Sequence, residues 1–296
     1  MRGHPPPPLP NAMLSSMKTT LANYTFNRDA DLIGIGSTAH VFMGSHAEKQ
    51  GHFALKIAIQ PHVTFDTEVN ALQTMEGNPG FVQVFEHEPD YYVSTLTGPD
   101  VESLMQYFGD KGRKLKRFVV LDAILQLVDR VRALHDKGFV HRDIKPDNMA
   151  MGFNSLQLML LDMGNVVRYR DANGDHIVDT EQDIVVGTER YCSVRCHQKR
   201  TPSRGDDMVS IAYTAIYMRD GSLPWQGAGL PPNATTIDRM HAKERYAETC
   251  DAATRALLTH AASIGFACEP NYDEFIGLVK NAVPIPSDED PDGSWW

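Results

Sequence analysis

His141-Arg142-Asp143-Ile144-Lys145-Pro146-Asp147-Asn148 is the stretch that decides how this chain folds and what chemistry it carries. It sets a carboxylate (Asp143), an amine (Lys145) and a carboxamide (Asn148) close together, directly after an amphipathic stretch. Phosphoryl transfer from ATP to a hydroxyl needs those three groups side by side. The carboxylate orients the hydroxyl and accepts its proton, the amine neutralises the group in flight, and the carboxamide holds a magnesium ion.

Upstream, in residues 114–138, Phe118, Leu121, Leu125, Val128, Val131 and Leu134 recur at helical spacing, which predicts a long buried helix stopped by Gly138. Downstream, Leu158-Met159-Leu160-Leu161 predicts a short buried strand running into Asp162-Met163-Gly164. An aspartate near a glycine is, taken alone, a turn residue. Residues 29–60 predict three strands: Leu32-Ile33-Gly34-Ile35-Gly36-Ser37, His40-Val41-Phe42-Met43 and Phe53-Ala54-Leu55-Lys56-Ile57-Ala58-Ile59. Gly34 and Gly36 would let a hairpin lie over phosphates with its amides directed at them, although glycine turns are common in hairpins of every kind. Lys56 is the only lysine in its apolar strand, either snorkelling at an edge or buried with a partner. Residues 63–76 are helix-compatible and surround Glu68 with Val69, Leu72 and Met75, which makes Glu68 the expected partner; by itself it reads equally as a surface glutamate. Tyr91-Tyr92-Val93-Ser94-Thr95-Leu96-Thr97-Gly98-Pro99 predicts a strand entering a connector.

The octet resembles the catalytic loop of eukaryotic protein kinases, and Lys145 two residues after Asp143 resembles their serine/threonine branch. Further along, Gly187-Thr188-Glu189-Arg190-Tyr191-Cys192-Ser193, Ser203-Arg204-Gly205-Asp206-Asp207 and Gly221-Ser222-Leu223-Pro224-Trp225-Gln226-Gly227 look like the casein kinase 1 group. Ser193-Val194-Arg195 stands where most protein kinases have Ala-Pro-Glu, a departure typical of that group. The resemblance spans roughly residues 25–282. It implies an α+β, bilobal protein-kinase-like fold: a small antiparallel-sheet N-lobe over about 19–97 and a mainly helical C-lobe over about 98–284. It further implies ATP and Mg2+ as cofactors and serine/threonine hydroxyls of protein substrates as acceptors. Asp143 would be the base, Lys145 would stabilise the transferring group, and Asn148 with Asp162 would bind magnesium. ATP would meet Gly34, Gly36, Val41, Ala54, Lys56 and Glu68, with Thr95, Leu96 and Thr97 as the hinge beside adenine. Thr188 would contact Asp143 and Lys145 in the substrate groove, Arg190 would belong to that groove, and Asp207 would anchor a central helix beneath the loop.

The chain departs from the family pattern in several places. Ala39 replaces a third glycine, Met163 replaces phenylalanine, and Ser94 and Ala150 are small where the adenine pocket usually has bulk. Casein kinase 1 enzymes favour acidic or phosphorylated substrates through a basic cluster. Here Asp179-Thr180-Glu181-Gln182-Asp183 is acidic, and Ala228-Gly229-Leu230-Pro231-Pro232 lacks the expected lysine. Weakened phosphate priming is the expectation, with Lys199 and Arg200 as substitute charge. A kinase-shaped binding module without turnover is the main alternative, favoured by the altered glycine loop, Met163 and Ala150 and opposed by the intact Lys56, Asp143, Asn148 and Asp162. A small-molecule phosphotransferase is opposed by Lys145 and the motif around Thr188.

Composition agrees with an enzyme of this size: 296 residues, 42% of them hydrophobic, supply a large core. A formal charge of -10 argues against nucleic acid or an anionic membrane as main partner. No apolar run reaches a membrane span, and the first residues lack the apolar core of a signal peptide. Cytoplasm and/or nucleus, in a monomeric state, is the expectation. Cys192, Cys196, Cys250 and Cys268 fit a reducing compartment. Residues 1–18 are proline-rich and read as an extended disordered tail, with docking to a proline-reading domain as the alternative. Residues 285–296 read as an acidic, flexible tail ending in Trp295 and Trp296.

Overall fold

Alternating apolar residues in the first hundred positions build one curled antiparallel sheet. In the computed structural model, which describes residues 18–153, 155–227, 230–231 and 233–289, the chain forms two units: Met1–Gln73 with Val82–Thr97, and Thr74–Phe81 with Gly98–Trp296. The proline-rich stretch before residue 18, the two terminal tryptophans, and Ala228, Gly229 and Pro232 lie outside the described residues.

The first unit holds β1 (Lys18–Leu21), β2 (Tyr24–Asn27), β3 (Leu32–Ile35), β4 (Ala39–His46), β5 (His52–Ala58), helix α1 (Asp66–Thr74), β6 (Val84–Glu88) and β7 (Tyr91–Thr95). The strands run in the order β1-β2-β4-β5-β7-β6, with β3 also paired to β4. The β1–β2 hairpin has no counterpart in the sequence expectations, yet it buries Tyr24 and Phe26 completely or nearly so. Those rings join Phe42, Phe53, Leu55, Tyr91 and Val93 in the core on one sheet face. Side chains alternate with a period of two, so the intervening residues point the other way. Register pairs Val41 with Lys56, Lys56 with Tyr92, and Ala54 with Ser94, which gathers all five residues on the opposite face.

The second unit is mainly helical. Its elements are β8 (Thr97–Asp100), α2 (Val101–Gly109), α3 (Arg117–Asp136), β9 (Phe139–Val140), β10 (Met149–Gly152), β11 (Leu158–Leu160), β12 (Val167–Arg168), α4 (Val194–His197), α5 (Arg204–Asp220), α6 (Thr236–Thr249), α7 (Ala252–Ser263) and α8 (Tyr272–Ala282). Two small ladders, β11-β10-β8 and β12-β9, flank the octet. The buried stripe of α3 is Val120, Ile124, Leu127, Val128, Val131 and Leu134. Phe118, Leu121 and Leu125, expected in that stripe, are only half-buried: in its first half the helix turns the neighbouring residues inward. Gly138 follows the helix at φ 84, the left-handed stop expected of a glycine there. Helix α5 is buried from Arg204 to Met218 and forms the centre of the unit.

The acidic C-terminal stretch is anchored where it is described. Glu289 accepts hydrogen bonds from the Arg117 amide (2.6 Å) and the Phe118 amide (3.0 Å) at the start of α3. The N-cap residue there, Lys116, makes no side-chain cap, so a carboxylate from far along the chain satisfies amides that the helix leaves open.

Candidate active site

The octet is tied down from below by α5. Asp207 is buried and accepts the His141 amide at 2.7 Å, the Arg142 amide at 2.9 Å and His135 Nε2 at 2.9 Å. Burial pushes the Asp207 carboxyl up, but the His135 hydrogen bond and the neighbouring histidines outweigh it and hold the group below the usual carboxylate range. Arg142 adopts φ 71, a left-handed conformation costly for a residue with a side chain. Its guanidinium donates to the Asn165 carbonyl, so both its backbone and its side chain are held.

This frame presents Asp143, whose carboxylate is the meeting point of the site. Lys145 Nζ donates to Asp143 Oδ2 at 2.9 Å and to the Thr188 hydroxyl oxygen at 2.9 Å. Thr188 in turn donates its amide (2.9 Å) and its hydroxyl (2.7 Å) to Asp143 Oδ1. Asn148 gives its amide nitrogen to the Asp143 carbonyl at 2.8 Å, which leaves its side-chain oxygen as the atom suited to a cation. Hydrogen bonds at the preceding residue place Asp162 near by: the Leu161 amide donates to Asn148 O at 2.8 Å, and the Leu161 carbonyl meets His141 Nε2 at 3.1 Å. Asp162 itself has φ 58, and Met163 behind it is fully buried, filling the space expected for phenylalanine. Ala150 is buried in β10.

Thr188 reaches Asp143 because Gly187 precedes it. Gly187 has φ 85, and a β-carbon there would lie 2.3 Å from the Arg142 carbonyl oxygen. Only glycine allows the two segments to approach so closely.

In the sheet unit, Lys56 donates to both oxygens of Glu68, each at 2.8 Å, and Glu68 is buried. Tyr92 donates its hydroxyl to Glu68 Oε1 at 3.1 Å, and the rings of Phe65 and Tyr92 lie against the ammonium. Of the glycine hairpin, Gly34 pairs with Val41, whereas the Gly36 amide donates to Ala39 O at 2.8 Å. That amide is engaged inside its own turn instead of directed outward, and neither glycine has a positive φ. Ser94 is buried, Thr95 donates its amide to Gln83 O, Leu96 is buried, and Thr97 begins β8.

The residues expected in the substrate groove are less simple. The Arg190 guanidinium lies over the rings of Tyr191 (5.8 Å) and Tyr217 (5.9 Å). Acidity of the 179–183 stretch is partly offset by the fold. Asp179 pairs with Arg195 at 3.3 Å and with Arg200 at 3.0 Å. Its burial alone would raise its pKa, yet the Arg200 hydrogen bond and both arginine charges leave it lowered. Repulsion of a phosphate by Asp179 is therefore weaker than the sequence suggests, and Arg200 is occupied and not spare.

Three residues at or beneath the site escaped sequence reading. Tyr92 sits next to an identical Tyr91, and only strand register says which one faces Lys56. His135 looks like any polar residue near a helix end, and Lys243 like an ordinary solvated lysine on a polar helix.

An antiparallel-sheet unit carrying a paired lysine and glutamate, with a helical unit that gathers aspartate, lysine and asparagine in one loop, defines the protein-kinase class of phosphotransferase. Residues 28–272, most of the chain, match the family described as protein kinase domain, and the chain belongs to that family.

Proposed function

We propose that this protein is an active serine/threonine protein kinase of casein kinase 1 type, using ATP and Mg2+. The observation that carries the reading is the four-way contact of Asp143, Lys145, Asn148 and Thr188. Asp143 orients a substrate hydroxyl and takes its proton, while Lys145, held between Asp143 and Thr188, carries positive charge to the transferring group. A lysine at this position together with a threonine from the segment after it supports serine/threonine hydroxyls as acceptors.

The donor set fits the cofactors. A carboxylate at Asp162 and a carboxamide oxygen at Asn148 suit Mg2+, which takes few protein ligands and keeps its waters. Bound magnesium neutralises phosphate charge. On the sheet unit, the face shared by Val41, Ala54 and Lys56 offers an apolar surface for adenine and an oriented ammonium for phosphates, and Glu68 and Tyr92 keep that ammonium in place. Gly34, Gly36, Thr95, Leu96 and Thr97 complete the proposed nucleotide residues.

Assignment to the casein kinase 1 group is supported by Ser193, which replaces the alanine of the usual motif. Its hydroxyl accepts from the Cys196 amide at 3.1 Å and donates to buried Asp206, capping α4. Operation without activation-segment phosphorylation is supported by Asp179 between its two arginines, and by Thr180. The Thr180 amide donates to the Thr201 hydroxyl at 3.0 Å, and its carbonyl accepts from the Thr201 amide at 2.9 Å.

The test is transfer of radiolabelled phosphate from ATP to casein, with Asp143→Asn as control. Signal from the native protein and none from the variant is the expected result. Equal background from both would overturn the reading in favour of a binding module.

A further inference from the structure

Lys243 on α6 is one of the most buried side chains of the protein, 1% exposed. Its ammonium donates to the Glu189 carbonyl at 2.8 Å, the Cys192 carbonyl at 2.6 Å and His197 Nε2 at 2.9 Å, and rests on the rings of Tyr213 (5.1 Å) and Trp225 (5.6 Å). Its partners are two carbonyls and a ring nitrogen, not a carboxylate. Burying an ammonium on such terms is expensive, and an apolar residue would pack the same space at lower cost. The lysine therefore answers a demand other than packing.

That demand lies in the turn it touches. Residues 188–192 close on themselves through the Tyr191 and Cys192 amides, which donate to Thr188 O at 2.8 and 2.9 Å. Thr188 at its head contacts Asp143 and Lys145. The Glu189 carbonyl beside it and the Cys192 carbonyl at the other end both accept from Lys243 on the buried side. An ammonium has three donors, and here three acceptors take them. Because His197 Nε2 accepts, that ring is neutral with its proton on Nδ1; burial, with Lys243 and Arg239 near by, pushes its pKa down to about 3.

We propose that Lys243 is a positioning residue for the substrate-binding turn 188–192, setting affinity for the peptide substrate through the two carbonyls it holds. This rests on the kinase reading of Asp143 and Thr188. Loss of one proton would leave two N–H donors for the two carbonyls, and the third contact would persist only if the His197 proton moved to Nε2 and met the amine lone pair. Burial lowers the Lys243 pKa to about 8, with Arg239 adding to the effect and Cys192, Cys196 and Glu189 opposing it. Among the groups facing it, Cys192 is pushed up to about 11 and Cys196 to about 12 by burial, and Tyr213 is raised as well. The charged neighbours Glu189 and Arg239 are paired with each other at 3.2 Å.

The protein and its Lys243→Met variant are to be compared in phosphorylation of casein and of a serine peptide. Amide hydrogen exchange over residues 188–193 is followed in parallel. The variant is expected to raise the peptide KM about tenfold while ATP KM and kcat change less than about twofold. Exchange in the turn should quicken, with the rest of the protein unaltered. Unchanged peptide KM and exchange, or a parallel collapse of peptide KM, ATP KM and kcat, overturns the proposal. If the native protein phosphorylates no acceptor, the kinase reading fails, and exchange in the turn decides the positioning role alone. Should the variant not fold, Lys243→Arg decides: a planar guanidinium cannot reproduce the three-donor fit, so unchanged peptide KM and unchanged exchange over residues 188–193 overturn it.

Discussion

Replacing Asp207 by asparagine tests whether one buried carboxylate holds the loop 141–148 in place. Oδ2 accepts the His141 amide at 2.7 Å and His135 at 2.9 Å, and Oδ1 accepts the Arg142 amide at 2.9 Å. An asparagine has one acceptor oxygen. In its better orientation that oxygen keeps His141 and His135, and its NH2 group is turned on the Arg142 N–H, donor against donor. One charge-assisted hydrogen bond is lost and a buried amide is left unpaired, together about 2–4 kcal/mol. For a unit of this size that corresponds to a fall in melting midpoint of roughly 5–12 °C. Far-UV circular dichroism of native protein and variant at neutral pH measures it. The pH dependence carries its own sign. Because the folded pKa of Asp207 is depressed, its contribution is full above the ordinary carboxylate value and is lost as pH falls through the folded value. The gap between native protein and variant should therefore narrow on acidification below about pH 4. Equal midpoints at neutral pH, or a gap that ignores acid, would refute the reasoning.

Gly187→Ala should push residue 187 off the Arg142 carbonyl, since the new β-carbon would stand 2.3 Å from it; casein phosphorylation should fall about 100-fold, and native turnover would sink the argument. Lys56→Met removes the ammonium from the buried Glu68 carboxylate, leaving it the Tyr92 hydroxyl, and should cost about 3 kcal/mol in urea unfolding of the sheet unit. Adding Glu68→Leu should recover most of that loss, and a double variant no more stable than the single one would show that the pair is not the source. In a peptide array, unprimed peptides should be phosphorylated at least as well as primed ones, because Arg190 is stacked on two tyrosines and Arg195 and Arg200 are held by Asp179. A clear preference for phosphoserine-bearing peptides would defeat that expectation.

Much of this molecule was legible without coordinates because its chemistry is local in the chain. Asp143, Lys145 and Asn148 lie within one turn's reach of each other, and a lone lysine in an apolar strand leaves two choices, an edge position or a buried partner. Periodicity placed the strands around Lys56 and the helix before the octet, since side-chain alternation is written directly into sequence. It misjudged the inward face of the first half of α3 and was silent on the β1–β2 hairpin, whose short strands carry too few residues for a pattern to stand out.

Other features depend on neighbours that only folding supplies. Register chose Tyr92 over Tyr91 to hold Glu68. Arg195 and Arg200 turned Asp179 from a repelling charge into a paired one, and Glu289 became the cap that Lys116 does not provide. Lys243 shows the same principle most sharply: in its polar helix it reads as a solvated charge, yet packing encloses it under the turn that meets Asp143. Which groups meet between Asp143 and Asn148 follows from the chain alone, because covalent spacing keeps them together. Tertiary structure alone decided which charges are buried and what they hold, because burial and hydrogen-bond partners are set by segments far apart in the chain.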